Sequence, residues 1–255
     1  MIASERLTIL TGASRGLGRA MAQQLLAQSG ATLVCISRRS DDALAELARQ
    51  AGASLEQWEL DLSEPALAAG RLGAWLQAVD PARFARATLI NNAGTVGQPR
   101  PLADGVAADL AQALRVGLEA PMLLAGAFLG ATRDWTGRRE VLNISSGLGR
   151  NAMGSQAPYC AAKAGMDHFS RAVALEQAAL PNGAKIVSLA PGVIDTDMQV
   201  QLRGTPADAF PDRERFVQLK ANGMLDSPET AAGKVLGYLD RADFGSKPVA
   251  DVRDA

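Results

Sequence analysis

The chain has 255 residues, 47% of them hydrophobic and 21% charged, with a formal net charge of −1. That length and balance suit one large α/β domain with a substantial core, and they give no electrostatic case for nucleic acid or a membrane surface as partner. A single histidine and two cysteines leave no basis for a histidine triad, a metal centre or a disulfide framework.

The first residues carry no basic-plus-apolar leader, and no apolar stretch is expected to reach the roughly 18 to 20 residues of a bilayer span. A cytoplasmic protein is expected. Residues 7–10 read as a strand that runs into Thr-Gly-Ala-Ser-Arg-Gly-Leu-Gly at 11–18, and these open a helix over 16–28. Gly12, Gly16 and Gly18 permit a tight turn, close backbone approach and close helix–strand packing. The helix N-terminus then offers unpaired N–H groups and a positive dipole end to a pyrophosphate, with Ser14, Arg15 and Leu17 completing the loop.

A strand at 32–37 ends in Ser37-Arg38-Arg39. In a dinucleotide-binding fold this end lies beside the adenosine ribose, where an acid would grip the 2′-hydroxyl. Arg38 and Arg39 stand there instead, with Arg15 in the glycine loop, and would pair with a 2′-phosphate. NADP(H) is therefore the expected cofactor; arginines merely solvated at a strand end would leave the choice open. After a helix at 41–51 and a strand at 55–60, Asp61 and Leu62 are placed to edge an adenine ring.

The alternation continues with a helix at 64–79, strand 88–91, helix 105–132, strand 140–145, helix 157–179 and strand 185–190. A helix at 228–240 and a short strand at 248–250 close it. Continuous apolar strands alternating with helices imply a doubly wound, mostly parallel sheet covered on both faces, in a single domain, with ligands beyond the carboxyl ends of the strands. Residues 198–224 mix Met, Leu, Phe, Pro and charge without a clear period. A lid over the site is expected there, with Met198, Leu202, Phe210 and Met224 as its apolar residues; an irregular surface excursion is the alternative.

Tyr159 and Lys163 lie four residues apart on the predicted helix and share a face. A fixed ammonium favours phenolate and moves the phenol toward the working range of a general acid–base. Ser146, arriving from a strand end, could hold a substrate oxygen beside the phenol. Cys35 and Cys160 read as packing residues.

In order, the segment 11–18, Asp61, Asn91-Asn92-Ala93-Gly94, Ser146, Tyr159, Lys163 and Pro191-Gly192 resemble the short-chain dehydrogenase/reductase family across essentially the whole chain. The resemblance implies that Tyr159 is the general acid of carbonyl reduction, that Ser146 orients the carbonyl and that Lys163 also bonds the nicotinamide ribose. It implies that Asn92, Ala93 and Gly94 border the cofactor. Pro191 and Gly192 would lie along the nicotinamide, with Ile194 and Thr196 near its carboxamide. Gly117 stands where many members carry an asparagine that supports a proton relay.

The second half is more specifically similar to the sepiapterin reductase branch, some of whose bacterial members reduce 1,2-diketones such as benzil. Asp251 matches that group's substrate-anchoring aspartate; an exposed carboxylate in a fraying terminus is the alternative. The expected activity is NADPH-dependent reduction of a small-molecule ketone or vicinal dicarbonyl by a homodimer or homotetramer. The alternatives are a 3-oxoacyl reductase, an alcohol dehydrogenase of the same family, or an NADP-binding regulatory protein with weak catalysis.

Overall fold

The computed structural model describes residues 5–254. Met1–Ser4, where the expectation about a leader falls, and Ala255 lie outside the described residues. Seven strands form one sheet: β1 (Glu5–Thr11), β2 (Ala31–Ser37), β3 (Ser54–Glu59), β4 (Phe84–Asn91), β5 (Arg138–Ile144), β6 (Lys185–Ala190) and β7 (Val249–Asp251). Their order is β3-β2-β1-β4-β5-β6-β7, and every pairing is parallel. Around it run α1 (Gly16–Leu26), α2 (Asp42–Ala51), α3 (Pro65–Ala78), α4 (Ala107–Leu114), α5 (Ala120–Ala131), α6 (Ala157–Ala178), α7 (Asp197–Gly204), α8 (Arg213–Ala221) and α9 (Pro228–Leu239).

Successive strand residues point to opposite faces, so apolar runs feed two cores at once. Leu10, Leu33, Cys35, Ile90, Leu142 and Val187 pack against α1, α2 and α9. Their neighbours Leu7, Ile9, Val34, Ile36, Leu89 and Val141 pack against α3, α5 and α6. Each fully buried Leu or Ile contributes roughly 1.5–3 kcal/mol, which explains why the central strands are the least polar parts of the chain. The edge strand β3 departs from that rule: Ser54, Glu56 and Glu59 are exposed and Trp58 alone is buried.

Two expectations need correction. Residues 198–224 are not irregular: α7 and α8 lie within them, and Leu202, Phe210 and Phe216 form a small core of their own with Met153 and Leu219. Their helical period was masked because one small cluster leaves most of α8 polar. Second, α4 and α5 join through a π-helical turn, Arg115–Glu119, into one helix of 25 residues, Ala107–Ala131, whose most apolar 18-residue window has a mean hydropathy of 1.4, long and apolar enough by composition to cross a bilayer. Its Ala120, Leu124, Ala125 and Phe128 are buried in the core beneath the sheet, while Leu114, Met122 and Leu123 face outward.

The two rims of the sheet are chemically unlike. At the amino ends of β4 and β5, the wholly buried Glu140 accepts from Arg86 and pairs with Arg138, and Arg86 also pairs with Asp240. At the carboxyl ends lie the glycine loop, the serine pair and the segment after β6. The strand order reverses between β1 and β4, which opens a crevice there for a ligand.

Candidate active site

The glycine loop joins β1 to α1. Gly12 has φ +71°, and a Cβ on Gly18 would lie 2.1 Å from the Gly12 carbonyl oxygen and 2.5 Å from Asn92 Nδ2, so no side chain fits at Gly18. Ser37 Oγ accepts from the Ala13 N–H at 2.9 Å. Thr11 Oγ1 accepts from the N–H groups of Asn92 at 2.9 Å and Ala93 at 3.0 Å, and Asn92 Nδ2 donates to the Thr11 carbonyl at 3.0 Å. The ends of β1, β2 and β4 are thus stitched into one shelf. No side chain caps α1, whose first N–H groups face the crevice unpaired. That bare helix end and the glycine cradle fit the pyrophosphate of a dinucleotide.

Arg38 and Arg39 are exposed beyond β2, free to meet a phosphate. Asp61 accepts from the Ser63 N–H at 2.9 Å, which holds its carboxyl below the usual range, with Arg38 adding a smaller pull; Leu62 is buried behind it. Arg15 has another partner: its guanidinium donates to Asp197 at the start of α7, 3.0 Å away.

Ser146 follows the end of β5, and its Oγ accepts from the Leu148 N–H at 3.1 Å, capping a short 3₁₀ turn over Gly147–Gly149. Pro158 opens α6, which places Tyr159 in its first turn and Lys163 one turn on. Both are buried. Lys163 Nζ lies 5.7 Å from the Tyr159 ring centroid and donates to the Ile144 carbonyl at 2.7 Å. It also comes within 3.7 Å of where a Cβ on Gly94 would stand, so the ammonium joins the serine strand to the loop after β4.

The electrostatics differ from the sequence expectation. Burial raises the Tyr159 pKa above 10.0, and a hydrogen bond with Ser146 opposes the rise; the lysine is not what sets it. Lys163 itself is lowered from 10.5 to about 8 by burial, against the opposing charge of Asp167. A tyrosine in this state keeps its proton at neutral pH. Cys35 is pushed up to about 12 by burial, which leaves it an inert core thiol.

Past β6, Pro191 and Gly192 turn the chain, Ile194 bridges to Asp226, and the Asp195 N–H donates to the Asp226 carbonyl at 2.9 Å. Thr196 sits above the glycine loop, its Cγ2 3.4 Å from a Cβ placed on Gly16; its hydroxyl caps nothing. Met198 is half-buried on α7, but Leu202 and Phe210 pack into the small core that α7 and α8 share, not into the crevice. An open hollow of about 400 Å³ between the segment after α7 and the loop after β4 is lined by Gln98, Arg100, Asp104, Thr205 and Asp208.

Asp251 lies in β7 and is buried, not in a fraying terminus. Arg253 donates to both of its oxygens, at 2.7 and 2.6 Å. Gly117 occupies the π turn, buried, and a Cβ there would stand 3.0 Å from Ala162 Cβ, next to Lys163. Close approach of two helices explains the glycine. Sequence reasoning overlooked Thr11 as a tie and Asp167 and Asp197 as partners; Asp167 had a signal, four residues beyond Lys163 on one helical face.

The model of the family described as short chain dehydrogenase matches residues 6–207. The chain belongs to the short-chain dehydrogenase/reductase family. It is 36% identical to benzil reductase ((S)-benzoin forming) of Bacillus cereus over 94% of this chain and 96% of that one. To sepiapterin reductase of Meriones unguiculatus it is 34% identical, over 96% and 95% of the two chains. A solved Agrobacterium tumefaciens structure with bound NADP superposes with a TM-score of 0.78 at 25% identity, covering 98% of this chain and 95% of that one. The family consists of oxidoreductases that use nicotinamide cofactors, and the site is built on its ordered motifs.

Proposed function

We propose that the chain is an NADPH-dependent reductase of ketones or vicinal dicarbonyls, with Tyr159 as general acid. The observation that carries this is the state of Tyr159: a buried phenol, its pKa raised by burial so that it holds its proton, one helical turn before the buried Lys163. A raised pKa suits donation to a carbonyl better than abstraction from an alcohol, which favours reduction over the alcohol-oxidising alternative.

The nicotinamide, when bound, supplies the hydride. Residues 12–18 would hold the pyrophosphate, Arg38 and Arg39 the 2′-phosphate, and Asp61 with Leu62 the adenine. Asn92–Gly94 and Pro191–Thr196 would line the nicotinamide half. Ser146 would orient the substrate carbonyl, Tyr159 would give its proton to the developing alkoxide, and the Lys163 ammonium would stabilise the phenolate left behind. Similarity to benzil and sepiapterin reductases supports a dicarbonyl substrate. The lid's apolar residues do not, since Leu202 and Phe210 are turned inward. We read the outward-facing Leu114, Met122 and Leu123 as a subunit contact of a cytoplasmic homodimer or homotetramer, and α7–α8 as the substrate lid.

Replacing Tyr159 by Phe should lower turnover of benzil roughly 10²-fold or more while NADPH binding stays within a few-fold of wild type. Normal turnover in that variant would refute the assigned donor. Comparing kcat/KM for benzil, sepiapterin and acetoacetyl thioesters separates the dicarbonyl reading from a 3-oxoacyl reductase.

A further inference from the structure

We infer that Asp167 is the positioning residue of this site: it keeps Lys163 cationic and pins the strand end that carries Ser146, with Arg150 coupling it to the terminal strand. The inference rests on the reading of Tyr159 and Lys163 as the proton-donor pair.

Asp167 is 1% exposed and lies on the α6 face of Tyr159 and Lys163, one turn past the lysine. Its Oδ1 accepts from Ser145 Oγ at 2.6 Å and from Ser188 Oγ at 2.7 Å, so one oxygen ties the residue just past β5 to the middle of β6. Its Oδ2 accepts from Arg150 Nε at 3.2 Å. Arg150 in turn donates to the Ala250 carbonyl at 2.9 Å and comes within 4.0 Å of Asp251. A carboxylate buried this deeply is costly unless paired and fully bonded, and here each bond reaches a segment that frames the site.

Lys163 gains nothing comparable from elsewhere. Its one hydrogen bond goes to the neutral Ile144 carbonyl. The loop after β4 presents Asn92, Ala93 and Gly94, and the π turn presents Gly117, all uncharged. The α6 face adds the neutral phenol of Tyr159. The loop after β5 contributes the cation Arg150, and the terminal strand contributes Asp251, which is already engaged by Arg253. Asp167 is thus the anion that opposes the loss of the lysine proton.

A purely mechanical pin and an electrostatic one predict different signs. Asp167→Asn keeps the shape and removes the negative charge, so Lys163 should lose its proton at lower pH. Arg150→Gln removes the competing cation, so Lys163 should hold its proton to higher pH. Ser188→Ala removes a hydrogen bond and no charge.

The Lys163 titration is read in cofactor-free protein as the pH dependence of the difference in urea midpoint between each background and the same background carrying Lys163→Met. In the NADPH-loaded enzyme it is read as the basic limb of kcat for benzil. Asp167→Asn should move both down by about one pH unit, a tenfold change in proton affinity. Arg150→Gln should move both up, and Ser188→Ala should move neither. Equal-signed shifts for the two charge variants, or no shift in either, would overturn the assignment. If Asp167→Asn does not fold, Arg150→Gln decides alone: an upward shift supports the inference and its absence refutes it. Retained turnover in Tyr159→Phe would instead count against the proposed function, and the urea titration would still test Asp167.

Discussion

Arg15 and Asp197 meet across the mouth of the crevice, the guanidinium in the glycine loop and the carboxylate in the first turn of α7, 3.0 Å apart. Both side chains are mostly exposed, at 67% and 76%, so the pair is worth under about 1 kcal/mol. It nevertheless occupies a cation that the sequence assigned to a cofactor phosphate. Asp197→Asn should free Arg15 and tighten NADPH binding by up to about fivefold, with little change for NADH. Fluorescence titration of the two cofactors measures this; weaker NADPH binding would mean that Asp197 helps place the lid instead.

Cofactor preference has a sharper test at Arg38, which is exposed and directed by no acid of its own except the nearby Asp61. Arg38→Asp replaces attraction for a 2′-phosphate by repulsion. NADPH affinity should fall at least tenfold, which is about 1.4 kcal/mol, while NADH affinity is nearly unchanged. Equal losses for the two would remove the phosphate from the account.

Lys163 should leave a mark on stability as well as on turnover. Unfolded, it keeps its proton up to about 10.5; folded, only to about 8. Between those values the unfolded chain binds more protons, so stability rises with pH across the window. Below about 8 both states are charged and the full burial cost stands, roughly 3 kcal/mol. Urea unfolding on either side of the window should show that rise in the wild type and lose it in Lys163→Met.

Gly18 offers the plainest steric prediction. A methyl group there would overlap the Gly12 carbonyl at 2.1 Å, and backbone cannot swing aside as a side chain can. Gly18→Ala should cost roughly 1–3 kcal/mol and abolish measurable NADPH binding, checked by thermal melting with and without cofactor. Binding of wild-type strength would mean that the loop reshapes freely.

The sequence made the layout readable because apolar strands and a glycine loop are local patterns, imposed by burial on two faces and by backbone crowding. Tyr159 and Lys163 were legible for a similar reason: helical spacing alone brings them to one face. The balance of forces between them was not. Whether a buried phenol rises or falls depends on how much water the fold removes, and burial decides it here. Asp197 was invisible because its partner lies 182 residues away in the chain. The helices α7 and α8 escaped notice because so little of α8 is apolar: among its residues Phe216 is the one that is buried.

The ion cluster of Arg86, Arg138, Glu140 and Asp240 gives the molecule a back as distinct from a front. The glycine-loop shelf, the serine–tyrosine–lysine group and α7 with α8 all lie at the opposite rim. A support or fusion partner attached near Asp240 would therefore hold the protein with its crevice turned to solution. The residues around that cluster are where a surface can be redesigned without disturbing the crevice.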